Sequence, residues 1–304
     1  DASEDPRLTG VTDAAQVVYP RIGSSGTGNP IIDDQQAAMK ITYNHTEHTN
    51  DVISDVPAGS IRYRLRIPCS QSVYELQGVA NLLSPGTLWT AADLMDAFAS
   101  CSVIDFTDDY DPLYAEKKLL SETQTIYYDN IADQPLALGT LEALSMPYQQ
   151  YTAAFTEKML NTTLPTTVYN GRVTAAMLGT EGGYVQLSSN MLFPDYTSDT
   201  RWWLPSGITE YDAAMFFLAT TYFDPWGADT QVDYDSYHLL PVKVTDALGS
   251  ETTIEAIDWR CLQPTRIKDI NANYSDILYD ALCMPVAMAM KGKDNGLEGD
   301  ELDH

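Results

Sequence analysis

Three consecutive stretches in the last third of the chain follow one plan, and this periodicity restricts the possible folds more than any other feature. The first, DPWGADTQVDYDSYHLLPVKVT, runs from Asp224 to Thr245. The second, DALGSETTIEAIDWRCLQPTRIK, runs from Asp246 to Lys268, and the third, DINANYSDILYDALCMPVAMAM, from Asp269 to Met290. Each opens on an aspartate turn (Asp224, Asp246, Asp269), with Gly227 and Gly249 three residues on in the first two. Each has a second aspartate near its middle: Asp235 after Tyr234, Asp258 before Trp259, Asp280 after Tyr279. Each then places a proline (Pro241, Pro264, Pro285) ahead of a strand-like run.

The physics is that of linked hairpins. An aspartate at the first turn position accepts from the amides that follow, and glycine three residues on supplies a positive φ that other residues resist. A strand of five to seven residues spans about 17–24 Å, so two strands and two turns use up the repeat of 22 or 23 residues. One hairpin is barely stable alone, so the units must pair edge to edge into one large, curved sheet. Proline donates nothing to a ladder and belongs at a strand's start or at a bulge. The mid-unit tyrosine and aspartate read as structural: a ring over the turn and a carboxylate holding it.

The remainder reads as mainly β with a few short helices. Residues 1–40 form a loop-rich leading segment around one strand candidate, AQVVYPR. Its GSSGTGNP stretch lacks the third glycine of a dinucleotide loop, the Lys-Ser/Thr of a P-loop and the second glycine of a nucleophile elbow. Residues 41–208 form a mixed, strand-dominated region. In SIRYRLRI, Arg62, Arg64 and Arg66 share one face and seek carboxylates on neighbouring strands. TAADLMDAFASC, opening on Thr90 with Asp93 three residues on, predicts a capped amphipathic helix. FTDDYDPLY lacks the glycine and distal glutamate of a calcium loop and reads as a solvated turn. YTAAFTEKMLNTTL, with Phe155 and Met159 four apart, reads as a helix; GRVTAAMLGTEGGYVQL reads as short strands and glycine turns. The repeat region spans 209–293 and an acidic, exposed tail 294–304.

The formal net charge is −26, which disfavours nucleic acid and anionic membranes as partners. No apolar run has the length of a membrane-spanning helix. The chain starts on Asp1 and reads as a piece of a longer polypeptide. Cys69, Cys101, Cys261 and Cys283 show no metal or redox spacing and read as buried free thiols. No cofactor or metal is expected.

The repeats resemble the YD or Rhs repeat. FDPWGADTQVDYDSYHLLPVKVTDALG, LQPTRIKD and YDALCMPVAMAMKGK, preceded by YRLRIPCSQSVYELQGV, EGGYVQL and RWWLPSG, together resemble the B-component-like proteins of bacterial Tc toxin complexes. The resemblance is dense from about Thr42 to Lys293. Ala272 and Cys283 stand where the family has glycine, and SETTIEAIDWR lacks the Tyr-Asp pair. The resemblance implies a hollow shell of Rhs strands enclosing a C-terminal effector. Its implied partners are other shell segments of the same chain and a C-component-like Rhs protein, and its implied setting is secreted or cell-surface. The family's self-cleaving aspartates belong to the C component and match nothing here, so no catalytic residue is carried over.

Three functions follow as expectations. The first is a non-enzymatic section of such a shell. The second is an adhesin-like β-repeat protein that binds carbohydrate or protein through Trp202, Trp203 and Trp226, although a tryptophan pair beside Pro205 more often belongs to a core. The third is an enzyme, for which the four histidines offer little: His45 and His48 in HTEH depart from the zinc-protease spacing, His238 lies in a turn and His304 is terminal.

Overall fold

The computed structural model describes residues 10–19, 26, 28–37, 39–56, 60–79, 82, 87–111, 113–162, 173–292 and 298–302. The chain is mainly β with four short α-helices among these residues and divides into two compact units, Asp1–Ser206 and Gly207–His304. Half of GSSGTGNP, Pro112, the end of NTTL and much of the acidic tail lie outside the described residues.

In the first unit the elements run β1 (Asp13–Val18), α1 (Pro30–Ala37), β2 (Lys40–His48), β3 (Val52–Val56), β4 (Ser60–Arg64), β5 (Pro68–Gln77), α2 (Ala91–Ser100), β6 (Ser102–Ile104), β7 (Glu116–Tyr127), β8 (Pro147–Phe155), α3 (Glu157–Thr162), α4 (Ala175–Thr180) and β9 (Trp202–Pro205). Seven strands form one sheet in the order β1-β2-β5-β7-β8-β9, antiparallel throughout, with β6 added parallel to β7; β3 and β4 form a separate hairpin. The α2 helix forms as its sequence dictates. Thr90 accepts from the Asp93 amide while Asp93 accepts from the Thr90 amide, a reciprocal cap. Its inner face packs Ala97 on Ile41, Tyr43 and Leu76, with Phe98 stacked on Tyr43 at 4.2 Å. A second cluster gathers Ile126, Tyr151, Leu187, Phe193 and Trp203, and a third Cys69, Tyr127 and Leu141.

Two readings of this region are corrected. Tyr151–Phe155 belong to β8, not to a helix; Tyr151 is buried in the second cluster, and the helix starts only after Thr156, whose hydroxyl accepts from the Met159 amide. A buried aromatic with β-pairing on both sides outweighed the four-residue spacing of Phe155 and Met159. Conversely, 175–180 is helix α4, capped by Thr174 on Met177 at 3.2 Å, followed by a 3₁₀ turn at Leu187–Ser189. Alanine, methionine and leucine behind a threonine cap favour that helix over strands. Of the three arginines, Arg66 grips Asp51 with Nε and Nη2, while Arg64 donates to the Ser145 carbonyl at 2.5 Å.

The second unit is an eight-stranded antiparallel sheet in strict sequence order: β10 (Ile208–Asp212), β11 (Leu218–Phe223), β12 (Asp229–Tyr234), β13 (Pro241–Thr245), β14 (Glu251–Asp258), β15 (Gln263–Lys268), β16 (Tyr274–Tyr279) and β17 (Pro285–Lys291). Each of the three sequence repeats is one turn plus one hairpin. A fourth hairpin, β10–β11, precedes them. Among the described residues of this unit only Tyr274 and Ala289 are buried apolar side chains. Residues 298–300 return to the β17 edge, where Asp300 donates its amide to the Met290 carbonyl at 3.0 Å.

Candidate functional site

The repeat positions assemble into two rows of turns, one along each end of the hairpin strands. On one row, Asp224 Oδ1 accepts from the amides of Trp226 and Ala228 (2.9 and 2.8 Å), Asp246 Oδ1 from Leu248 and Ser250 (2.9 and 2.8 Å), and Asp269 Oδ1 from Asn271 and Asn273 (2.9 and 2.7 Å). On the other row Asp280 repeats the pattern with Leu282 and Met284, Asp258 holds Arg260 and Cys261, and Asp235 takes three amides, those of Tyr237, Leu239 and Leu240. Each carboxylate replaces the amide partners that a tight turn leaves without a strand. The amide bonds to Ser250 and Leu248 hold the Asp246 carboxyl below the usual range. Burial would raise that of Asp235, but its three amides bring it below as well.

The third turn residue takes a left-handed conformation: Gly227 (φ 86) and Gly249 (φ 78), then Ala272 (φ 61), Cys283 (φ 63) and His238 (φ 57). The turn is therefore the type I turn with a following left-handed residue that suits a hairpin, and it forms even where glycine is absent. Asp212 caps the β10–β11 turn by accepting from Ala214 at 2.7 Å. Tyr211-Asp212 precedes Tyr234-Asp235 by one repeat, the signal by which this fourth hairpin is recognisable.

Tyrosine and proline have distinct tasks. Tyr234 donates its hydroxyl to the Ala219 carbonyl at 2.9 Å, and Tyr279 to the Pro264 carbonyl at 3.1 Å, each reaching 15 residues back into the preceding hairpin. Pro241, Pro264 and Pro285 stand opposite Tyr234, Ile257 and Tyr279, in each case beside a register shift. At a bulge, proline's missing amide costs no ladder bond.

Charge stitches the strands across. Lys243 on β13 bridges Asp233 on β12 (3.0 Å) and Glu251 on β14 (3.4 Å). Asp276 on β16 takes both Arg266 nitrogens, Nε at 2.6 and Nη2 at 2.8 Å, and Lys291 on β17 at 2.8 Å. The Arg266 bonds, with Lys291, hold the Asp276 carboxyl far below its usual range despite partial burial.

The cysteine reading is corrected: Cys261 and Cys283 form a disulfide with their Cα atoms 5.4 Å apart, while Cys69 and Cys101 are free and buried. The signal was in the sequence, since the pair are separated by 22 residues, one repeat, and so fall on neighbouring turns.

The first unit holds a cleft of about 1040 Å³ over the sheet face, lined among others by His45, Ser72, Glu122, Phe155, Tyr196 and Arg201. Its wall is a buried ionic network. Arg201 meets Glu122 at 2.5 Å and Asp199 at 2.8 Å, Tyr196 donates to Glu122 at 2.7 Å, and the Trp203 indole donates to Asp199 at 2.8 Å. Burial alone would lower Arg201, but its bonds to Asp199 and Glu122 raise it above its normal value. The polar groups of this wall are thus spent on one another. His45 is paired with Asp13 at 2.9 Å on the neighbouring strand. Among the described residues no three His, Cys, Asp or Glu side chains are placed to hold a metal, and no helix is long and apolar enough to cross a membrane.

The tryptophans separate. Trp203 has no exposed surface and cannot meet a ligand, which corrects its reading as a binding aromatic; Trp202 is half-buried, near Gly179. Trp226 is 68% exposed at the tip of the first turn.

No protein-family model matches the chain, and no curated protein matches it. Solved structures do. A TcdB2–TccC3–TEV complex matches at 23% identity and TM-score 0.67 over 95% of this chain. A TcdB2–TccC3–Cdc42 complex matches at 22% identity and TM-score 0.65 over 92%. A Tc holotoxin pore of Photorhabdus luminescens matches at 23% identity and TM-score 0.66 over 92%. The chain spans only 12–13% of the length of those chains. Its fold is that of a segment of these Tc toxin chains.

Proposed function

We propose that this chain is a non-enzymatic wall section of a Tc-type toxin shell, continuous with other Rhs-type segments of its own polypeptide and closed by a C-component-like partner around a C-terminal effector. The observation that carries the reading is the likeness to TcdB2–TccC3 chains, which extends over at least 92% of this chain, the hairpin sheet included. The site chemistry supports it. The turn aspartates of the repeat are engaged by backbone amides, Asp233 and Asp276 by cations on neighbouring strands, and Glu122 and Asp199 in the cleft wall share Arg201. Such groups hold strands in place and have no free nucleophile or base to offer. Export to an oxidising setting fits the disulfide.

The test is cryo-EM of the full-length parent expressed with its neighbouring gene product. A closed hollow shell with this segment in its wall is the expected result. An open sheet or a solid particle with no cavity overturns the reading, and glycan arrays with Trp226→Ala as the control then become the relevant assay.

A further inference from the structure

The hairpin β14–β15 lacks what its neighbours have. Ile257 occupies the tyrosine position, so no hydroxyl reaches back as those of Tyr234 and Tyr279 do. Its turn forces Leu262 to φ 53, and its register shifts twice, between Ile254 and Ala256 and between Ala256 and Ile257. The facing turn on β16–β17 carries Cys283 at φ 63, a conformation that disfavours any side chain. At this least regular point the chain adds a covalent bond, Cys261–Cys283, between equivalent positions of successive repeats. Arg260 Nη2 adds a second link between the same turns, donating to the Asp280 carbonyl at 2.8 Å.

We propose that the Cys261–Cys283 disulfide is a reductively cleavable staple: it closes the turn row at its weakest hairpin in an oxidising compartment, and a dithiol reductant releases it. A thiolate of the reductant attacks one sulfur, the Cys261–Cys283 bond breaks, and the departing sulfur takes a proton. The reductant's second thiol resolves the mixed disulfide, leaving two cysteine thiols here and one disulfide on the reductant. Access allows the exchange: Cys261 and Cys283 are half-buried rather than enclosed, and Leu282 and Met284 on either side of Cys283 are 83% and 60% exposed. The other two cysteines do not compete: burial pushes the Cys69 thiol up to about 11 and raises that of Cys101. Once released, Cys283 keeps its disfavoured conformation with nothing covalent to hold it. The edge then opens locally while the first unit, with its own cores, stays folded.

The experiment is hydrogen–deuterium exchange of the full chain with and without dithiothreitol under native conditions, with thiol alkylation to score cleavage. Peptides across 255–268 and 279–288 are expected to exchange on the order of 10- to 100-fold faster after reduction, while those across 116–127 do not change. A Cys261→Ser/Cys283→Ser variant should reproduce the reduced pattern without reductant, and Cys69→Ser/Cys101→Ser should keep the full response. Identical exchange in both redox states overturns the proposal, as does a bond that resists dithiothreitol until the chain unfolds. Should the double serine variant not fold, the wild-type comparison still decides. The outcome is independent of whether the parent forms a shell, since it is read on this chain alone.

Discussion

Single residues set the strength of each turn. Ala272 occupies a left-handed position (φ 61) that Gly227 and Gly249 hold in the preceding units. A Cβ there costs about 1–2 kcal/mol against the following carbonyl, partly offset by the larger entropy glycine loses on folding. Ala272→Gly should therefore stabilise the hairpin sheet by about 1 kcal/mol, measured as a higher urea midpoint; a neutral or lower midpoint would show that the turn is not strained. Tyr279→Phe tests the opposite sign. It leaves the ring and removes the 3.1 Å bond to the Pro264 carbonyl, a loss of about 1 kcal/mol. The second repeat already lacks this bond, because Ile257 stands where the others have tyrosine. At this scale the sequence was readable where the chemistry is local: Asp, Gly and Pro mark turns through their own backbone preferences. For the tryptophan pair it favoured a core without saying which ring is buried, because that depends on Asp199 and on a strand 50 residues upstream of Trp203.

Elements obey the same division. The six repeat strands were legible because each is bounded by residues that forbid continuation, and α2 was legible through its Thr90–Asp93 box. The 151–162 segment was legible only in its second half, where Glu157–Thr162 is helix. Its alanines and Met159 suit a helix, yet Tyr151 and Ala153 pair with Pro205 and Trp203 on β9, a partner absent from any local window. Trp203→Ala would empty the centre of that cluster and remove the indole bond to Asp199, which keeps Arg201, so a loss of about 3–5 kcal/mol is expected in denaturant unfolding of the first unit. In the other sheet, Asp276 joins three strands through Arg266 and Lys291. Its carboxyl titrates lower in the folded chain than in the unfolded one. Its stabilisation is therefore complete above the unfolded carboxyl value of about 3.9 and disappears as pH falls towards the folded value. The unfolding midpoint should fall below about pH 4 in the parent. Asp276→Asn should be less stable at pH 7 by about 2 kcal/mol and show a shallower acid dependence. Parallel acid curves for the two proteins would show that other carboxylates control the transition.

For the whole molecule, the two units rest on different sources of stability. The first has three apolar clusters and can bury them itself. The second is a sheet with many apolar side chains in the open, Val286, Met288 and Met290 on β17 at 62%, 62% and 54% exposure and Leu248 at 92%. Turn hydrogen bonds, cross-strand ion pairs and one disulfide hold its register, but a sheet without a buried face gains little hydrophobic stabilisation. Expressed by itself, 207–304 should give weak β-sheet circular dichroism, no cooperative melt and concentration-dependent association in light scattering, because long exposed strands pair with one another. Residues 1–206 expressed alone should melt cooperatively as a monomer. A monomeric 207–304 with a sharp melt would mean that the turn network alone stabilises such a sheet. The hairpins would then be self-sufficient repeats, and the open apolar faces would need no covering.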